Sequence, residues 1–385
     1  MSRTNLRSAQ GAKQDEFYTR LEDIENELKK YKSQFKNKII FCNCDDPYES
    51  NFFKYFASNF NHLKLKKLIA TSHTKSPIVG QQLSLYEIEG LKLEGRQPFK
   101  IEINEVPDIN KDGVITIEDV KELLKHGKNV VSALKGDGDF RSIESVSLLE
   151  ECDIVVTNPP FSLFRDFMSL LTSYKKDFLI IGNTNSFTYK EIFKLFKDDK
   201  IRTGFTNFNK GMFFVVPSDW EKYHHIDDSG RKIARVSTSC WITNLEVDKH
   251  REKMVLYRQY NATDYRSYDN FDAINVDRYL DIPDNYYGVI GVPITYLDKH
   301  NPNEFDIVAL GNSKENFQPT KVYKNPIKHL KSGDTQNGNA INNVLVFNQK
   351  EKPEDVIYYT SDNSDFLIAP YARILIKRKK ETNEN

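Results

Sequence analysis

Four residues carry the most chemical information in this chain: Asn158-Pro159-Pro160-Phe161. They directly follow the apolar run Ile154-Val155-Val156-Thr157, which reads as a short buried strand. In open α/β sheets, ligands bind at the carboxyl ends of such strands. Proline has no backbone N–H and a fixed φ, so two in a row hold a rigid loop with its carbonyls exposed. The side-chain oxygen of Asn158 and the carbonyl of Pro159 can then both accept hydrogen bonds from one exocyclic NH₂ group. Two such acceptors favour the pyramidal nitrogen that forms when an amine attacks a methyl group, a form of electrostatic preorganisation. Phe161 offers a ring on which the base bearing that amine can stack. With a sulfonium leaving group the transfer needs neither a metal nor a strong general base. Two prolines that merely stop a strand would give the same tripeptide. The buried strand before it and the aromatic after it weight the reading toward chemistry.

A second pattern begins at Asp108-Ile109-Asn110-Lys111-Asp112-Gly113 and runs on to Asp119. Oxygen donors at positions 1, 3 and 5 and a glycine at 6 match the start of a calcium loop; Asp119 stands at the twelfth place, where Glu is usual. Asp108, Asn110, Asp112 and Asp119 are therefore candidate ligands of a structural calcium ion that would clip this region. An acidic surface turn capping the following helix would read the same way. The same stretch contains Pro107-Asp108 and Asp119-Val120-Lys121, the residue template of many restriction nucleases. That template requires its acids on paired strands beside magnesium, whereas Asp119 opens a helical stretch, so nuclease activity ranks low. The eight histidines form no metal-ligand pattern, and His224-His225 reads as a loop pair.

The elements that must position these residues follow from periodicity. Leu21, Ile24, Leu28, Tyr31 and Phe35 recur at helical steps, and Thr19 with Glu22 has capping-box spacing, so a helix is expected from Thr19 onward. Strands are expected at 38–43, 65–70, 130–134, 153–157, 178–182, 213–216 and 240–245. A helix carrying Phe164, Phe167, Leu170 and Leu171 on one face follows the Asn-Pro-Pro-Phe loop. Short apolar strands alternating with helices predict an α/β fold with a mostly parallel central sheet. Residues from about 74 to 128 are less regular and read as an insertion. Beyond about Asp248, Tyr, Asn, Asp and Pro become frequent, as in a loop-rich second module. There is no internal repeat.

Composition bounds the partners. The chain has 385 residues, with 55 Lys+Arg against 55 Asp+Glu, so the net charge is zero; nucleic acid stays open as a partner if a basic face is balanced by acid elsewhere. Hydrophobic residues at 39% and aromatics at 12% suit a folded core. Cys42, Cys44, Cys152 and Cys240 fit neither a disulfide framework nor a CxxC metal pair, and a reducing cytoplasm is expected. The polar start of the chain lacks the apolar segment of a signal peptide, and no run of about 18 apolar residues calls for a membrane span. Arg251, Lys253, Arg258 and Arg266 interleave with Tyr257, Tyr260, Tyr265 and Tyr268, as phosphate and base contacts would; a solvated charged face would look the same.

Taken together, the motifs resemble the adenine-specific DNA methyltransferases of the EcoRI modification methylase family. The resemblance rests on Asn158–Phe161 with the Ser-Leu-Phe that follows, on Asp15–Thr19, Phe41–Pro47, Asn51–Ala57, Gly136–Ser142, Cys240–Leu245, Tyr268–Val276 and Gly291–Leu297. It implies a Rossmann-like, S-adenosylmethionine-dependent enzyme over residues 1–250, with the insertion at about 74–128 and a DNA target-recognition region at 251–385. It implies adenine N6 in a short duplex sequence as the target, double-stranded DNA as the partner, and a cognate restriction endonuclease acting on the same sequence without a stable complex. By position it places Phe17, Tyr18 and Thr19 along the cofactor, and Cys44, Asp45 and Asp46 in the turn after the first strand, with Asp45 or Asp46 toward the methionine ammonium. Asp137 and Asp139 would accept from the cofactor's adenine amine, and Phe140 would pack on its ring. The sequence departs from the family pattern in having no G-x-G in the first turn and no acid at Ala70-Thr71-Ser72-His73, where a ribose contact is usual. Methylation of an RNA amine or of a protein glutamine is the runner-up, because the same tetrapeptide suits those acceptors.

Overall fold

The computed structural model describes residues 18–73 except 45, 48 and 49, residues 98–126 except 110 and 112–115, and residues 130–380 except 217 and 313–316. The chain divides into two compact units, Met1–Thr184 with Thr203–Glu246, and Asn185–Arg202 with Val247–Asn385.

The first unit is built on an eight-stranded sheet. Its strands are β1 (Ile39–Cys42), β2 (Lys67–Thr71), β3 (Phe99–Ile103), β4 (Val131–Ala133), β5 (Ile154–Thr157), β6 (Asp177–Asn183), β7 (Arg202–Thr203) and β8 (Ser239–Thr243). The order across the sheet is β4-β3-β2-β1-β5-β6-β8-β7. β1, β2, β5 and β6 are joined by parallel pairings, and their apolar runs are buried on both faces as such strands require. The expectation of a mostly parallel sheet holds only for this centre. β3 runs antiparallel to both its neighbours and β8 antiparallel to β6, as do nearly all the strands of the smaller sheets. The reason lies in β3, which comes from the stretch expected to be an insertion. It wedges antiparallel between β2 and β4, so β4 again runs in the direction of β2.

A second, four-stranded sheet joins Tyr18–Thr19, Met212–Val215, Lys232–Val236 and His225–Ile226, all antiparallel. Thr19 therefore belongs to a strand, opposite Phe214, and does not cap the first helix. That helix runs Leu21–Leu28 behind Arg20, with no side-chain cap, and continues as a 3-10 turn at Lys29–Tyr31 and a short helix at Lys32–Phe35. Ile24, Leu28, Tyr31 and Phe35 are buried, as their spacing predicts. Its Glu27 carboxylate is fully buried and ties down the loop after β7, accepting from Phe205 N, from Thr206 N and Oγ1, and from Tyr31 Oη. Burial pushes this carboxyl above the usual range, against those four donors. A side chain at Gly204 would overlap the Glu27 carboxylate, so glycine is needed there.

The second unit, expected to be rich in loops, contains a four-stranded and a five-stranded sheet of short strands. The helix Lys190–Lys197 belongs to it and packs on Phe305–Leu310. Tyr268, Ala309, Leu345 and Leu375 form one core cluster, and Tyr323, Ile341, Val346 and Leu367 another.

Candidate active site

Strand β5 delivers the Asn-Pro-Pro-Phe loop. Its four residues are buried, Thr157 pairs with Ile180 on one side, and Val155 pairs with Phe41 on the other. The parallel register brings the carboxyl ends of β1, β2 and β5 to one edge of the sheet. Asn158 is 6% exposed, Pro159 is buried, and Pro160 and Phe161 are half-buried. Leu163 N donates to Pro160 O at 3.0 Å, closing a 3-10 turn over Phe161–Leu163. The helix Phe164–Ser173 follows and buries Phe164, Phe167, Met168 and Leu171.

One distant segment meets this loop, and a second holds that segment in turn. Phe161 and Phe214 contact at right angles with ring centroids 6.4 Å apart, and Phe214 pairs with Thr19. Asn51 Nδ2 donates to the Thr19 carbonyl at 2.7 Å, which ties the same strand to the helix Asn51–Ser58 after the β1 turn. Within that turn Asp46 is buried, its carbonyl accepts from Ser50 N at 2.7 Å, and Cys44 is half-buried. Ser50 caps the helix by accepting from Phe53 N. Phe17 and Asp45 lie outside the described residues. Sequence reading recognised the strand around Phe214 but missed its contact with Phe161, because no local pattern names a partner so far along the chain.

The loop Gly136–Asp139 follows β4. Gly138 has φ of +78°, and a side chain there would overlap the Ser72 carbonyl, so the loop lies directly on the end of β2. Asp137 Oδ1 accepts from Asp139 N at 2.9 Å. Asp139 grips Arg141: Oδ1 accepts from its backbone N and from Nε, and Oδ2 from a guanidinium nitrogen at 2.8 Å. These hydrogen bonds hold the Asp139 carboxyl below the usual carboxylate range despite its partial burial. Phe140 is buried edge-on against Phe167 at 5.1 Å, and the Arg141 guanidinium lies 5.1 Å from its ring centroid.

A family model described as adenine-specific methyltransferase EcoRI matches residues 5–379. The chain belongs to this family. It is 44% identical to the type II methyltransferase M.EcoRI of Escherichia coli over 79% of this chain and 88% of that protein. It is 34% identical to M.MgeORF184P of Mycoplasma genitalium over 86% of this chain and 94% of that protein. It is also 34% identical to M.MpnI of Mycoplasma pneumoniae over 86% of this chain and 92% of that protein. No solved structure is significantly similar to it. The chain is thus an adenine-specific DNA methyltransferase, and no helix of its described residues is long and apolar enough to cross a membrane.

In this methyltransferase Arg251, of the residues expected to meet DNA, is half-buried and Arg266 is exposed, and Arg258 Nε lies 3.6 Å from an Asp281 carboxylate oxygen. Lys253, Tyr257 and Arg258 are exposed, Tyr257 by 78% and the Arg258 side chain by 63%. Arg251 binds Asp199 through both terminal nitrogens at 3.1 Å, and Arg266 lies 4.2 Å from the Phe347 ring centroid. Tyr265 and Tyr268 are core residues.

The acidic stretch is organised around its helix. Asp119 is 1% exposed; its oxygens accept from Ile109 N at 2.9 Å, Thr116 N at 2.8 Å and Thr116 Oγ1 at 3.1 Å. Thr116 Oγ1 in turn accepts from Glu118 N, so Thr116 and Asp119 form a capping box at the start of Ile117–His126. The helix cap therefore takes the Asp119 oxygens that calcium would need, and the calcium expectation gains no support. Asn110 and Asp112 lie outside the described residues; among the described ones no cluster of three or more His, Cys, Asp or Glu could hold a metal. Asp119 on a helix also lacks the paired-strand setting of the nuclease template.

Proposed function

We propose that this chain transfers a methyl group from S-adenosylmethionine to adenine N6 within a short duplex DNA sequence. The observation that carries the reading is the rigid Asn158–Phe161 loop at the carboxyl end of β5. In it, Asn158 Oδ1 and the Pro159 carbonyl accept the two N–H groups of the target amine. Positive charge builds on that nitrogen as it attacks, so both bonds strengthen in the transition state and lower the barrier. Duplex pairing hides N6, so the target base must leave the stack to reach the loop, where Phe161 receives it.

The first unit reads as a Rossmann-like methyltransferase fold whose sheet edge suits the cofactor. The hydroxyls of Thr19 and Thr157 are buried there without a hydrogen-bond partner among the described residues. Native folds seldom leave such groups unsatisfied, and a polar ligand at this edge would satisfy them. When bound, the cofactor supplies a methyl group on a sulfonium. Tyr18, Thr19, Cys44 and Asp46 would line it, with Asp137 and Asp139 accepting from its adenine amine and Phe140 beneath. Asp139 would share its oxygens with Arg141.

Residues 251–385 would read the DNA sequence, with Lys253, Tyr257 and Arg258 on phosphates and sugars. Because the relatives are named type II methyltransferases, we place the chain as the modification part of a restriction–modification system in the cytoplasm, beside an endonuclease that acts independently on the same sequence. The test is tritium transfer from labelled cofactor to duplex DNA, tRNA and protein in parallel, with sequencing of the host DNA. Label in DNA, with N6-methyladenine confined to one sequence, is the expected result. Label in tRNA or in a protein glutamine with none in DNA would overturn the proposal.

A further inference from the structure

We propose that Phe214 is a positioning residue that holds the Phe161 ring where an extruded base must stack. The proposal rests on the reading of Asn158–Phe161 as the transfer loop. Two prolines stiffen the backbone before Phe161, but they leave the χ angles of its half-buried side chain free. A neighbouring group must therefore set the ring. Phe214 meets it at 90° with centroids 6.4 Å apart, an edge-to-face contact.

Phe214 is well mounted for this task. It is fully buried, and its strand is paired on both edges, opposite Thr19 on one side and Ala234 on the other. On the opposite face of the strand the Arg20 guanidinium lies 4.8 Å from the Phe213 ring centroid. A slip of one residue would turn Phe213 toward Phe161 and Phe214 toward Arg20. Asn51 holds the Thr19 carbonyl at 2.7 Å, which closes a chain of contacts from the start of the helix Asn51–Ser58 to the Phe161 ring. Phe214 touches neither substrate nor cofactor in this scheme; it acts through Phe161.

The experiment compares Phe214→Leu, Phe161→Leu and the double variant in single-turnover transfer to the duplex methylated in the host. Fluorescence of 2-aminopurine at the target position reports base stacking. Phe214→Leu should lower the transfer rate about tenfold, the scale of a small misplacement of reacting groups. Cofactor affinity should stay at the parental value, and the 2-aminopurine signal should shift as it does in Phe161→Leu. The double variant should be no slower than Phe161→Leu alone, since the two act as one unit. A parental rate for Phe214→Leu beside a slow Phe161→Leu would overturn this proposal alone. Multiplying effects in the double variant would overturn it as well. A parental rate for Phe161→Leu would instead remove the loop reading beneath it. If Phe214→Leu lowers the melting temperature by more than a few degrees, Phe214→Met, whose unbranched side chain reaches further and adapts to the gap, is judged by the same criteria.

Discussion

The loops ending at Asp119 and beginning at Asn158 carry hydrogen-bond acceptors in motif-like spacing, and the fold uses them differently. At Asp119 the surrounding backbone supplies N–H donors, and those of Ile109 and Thr116 take up the carboxylate. At Asn158 the next two residues are prolines, which have no N–H to offer. The first loop therefore folds its acceptor into a helix cap, while in the second the two residues after Asn158 supply no such donors. A motif's chemistry depends on which of its polar atoms the neighbouring backbone can satisfy.

The contrast is broken most directly at Asn158. Asn158→Ala should reduce single-turnover transfer on the order of 10²–10³, the usual effect of losing one preorganised polar contact. DNA and cofactor affinities should stay within a few-fold, and Asn158→Asp, which keeps an acceptor oxygen, should be milder. Near-parental transfer by the Ala variant would remove Asn158 from the chemistry.

At the other loop the effect should fall on stability. Asp119→Ala removes a cap and leaves buried N–H groups without an acceptor, which should cost about 1–2 kcal/mol in chemical denaturation. Transfer per folded molecule should not change. Millimolar calcium should leave the parental melting temperature where it is; a calcium-dependent rise would show a ligand bound to the folded state and restore the metal reading.

The loop at Asp139 lies between these cases, since its carboxylate is held by Arg141 yet stands at the sheet edge. Asp139→Ala should weaken cofactor binding in calorimetry by about 1 kcal/mol, roughly fivefold. Arg141 keeps the Asp139 pKa below its ordinary 3.8, so the ionised form is present above that value and is lost only as the pH falls through the lowered one. Between about pH 6 and 8 this group should contribute no pH dependence. Unchanged affinity in both the Asp137→Ala and Asp139→Ala variants would take these residues out of the site.

Much of the framework was legible because it is local. The apolar runs around Ile40, Leu68, Val155 and Ile180 became buried strands, and the helical spacing of Ile24, Leu28, Tyr31 and Phe35 became a buried face. Thr19 shows the limit. Its capping-box spacing with Glu22 is a genuine helix-start signal, but its backbone was claimed by a strand far along the chain. Propensity yields wherever a tertiary pairing offers the same groups a better partner. Phe99–Ile103 failed to stand out for a related reason, being a short alternating segment inside an irregular stretch.

Order along the chain was enough to determine the family, the parallel centre of the sheet and the Asn-Pro-Pro-Phe loop at its edge, because each depends on residues adjacent in sequence. Folding alone decided that β3 would enter the sheet antiparallel, that Asn185–Arg202 would join the second unit, and that Phe214 would stand against Phe161. It also decided that Glu27 would be buried among the donors of a distant loop. These outcomes depend on which strand edges and buried acceptors find partners in three dimensions. The side-chain periods of 2 and about 3.6 residues record which face of an element is buried, but not what lies against it.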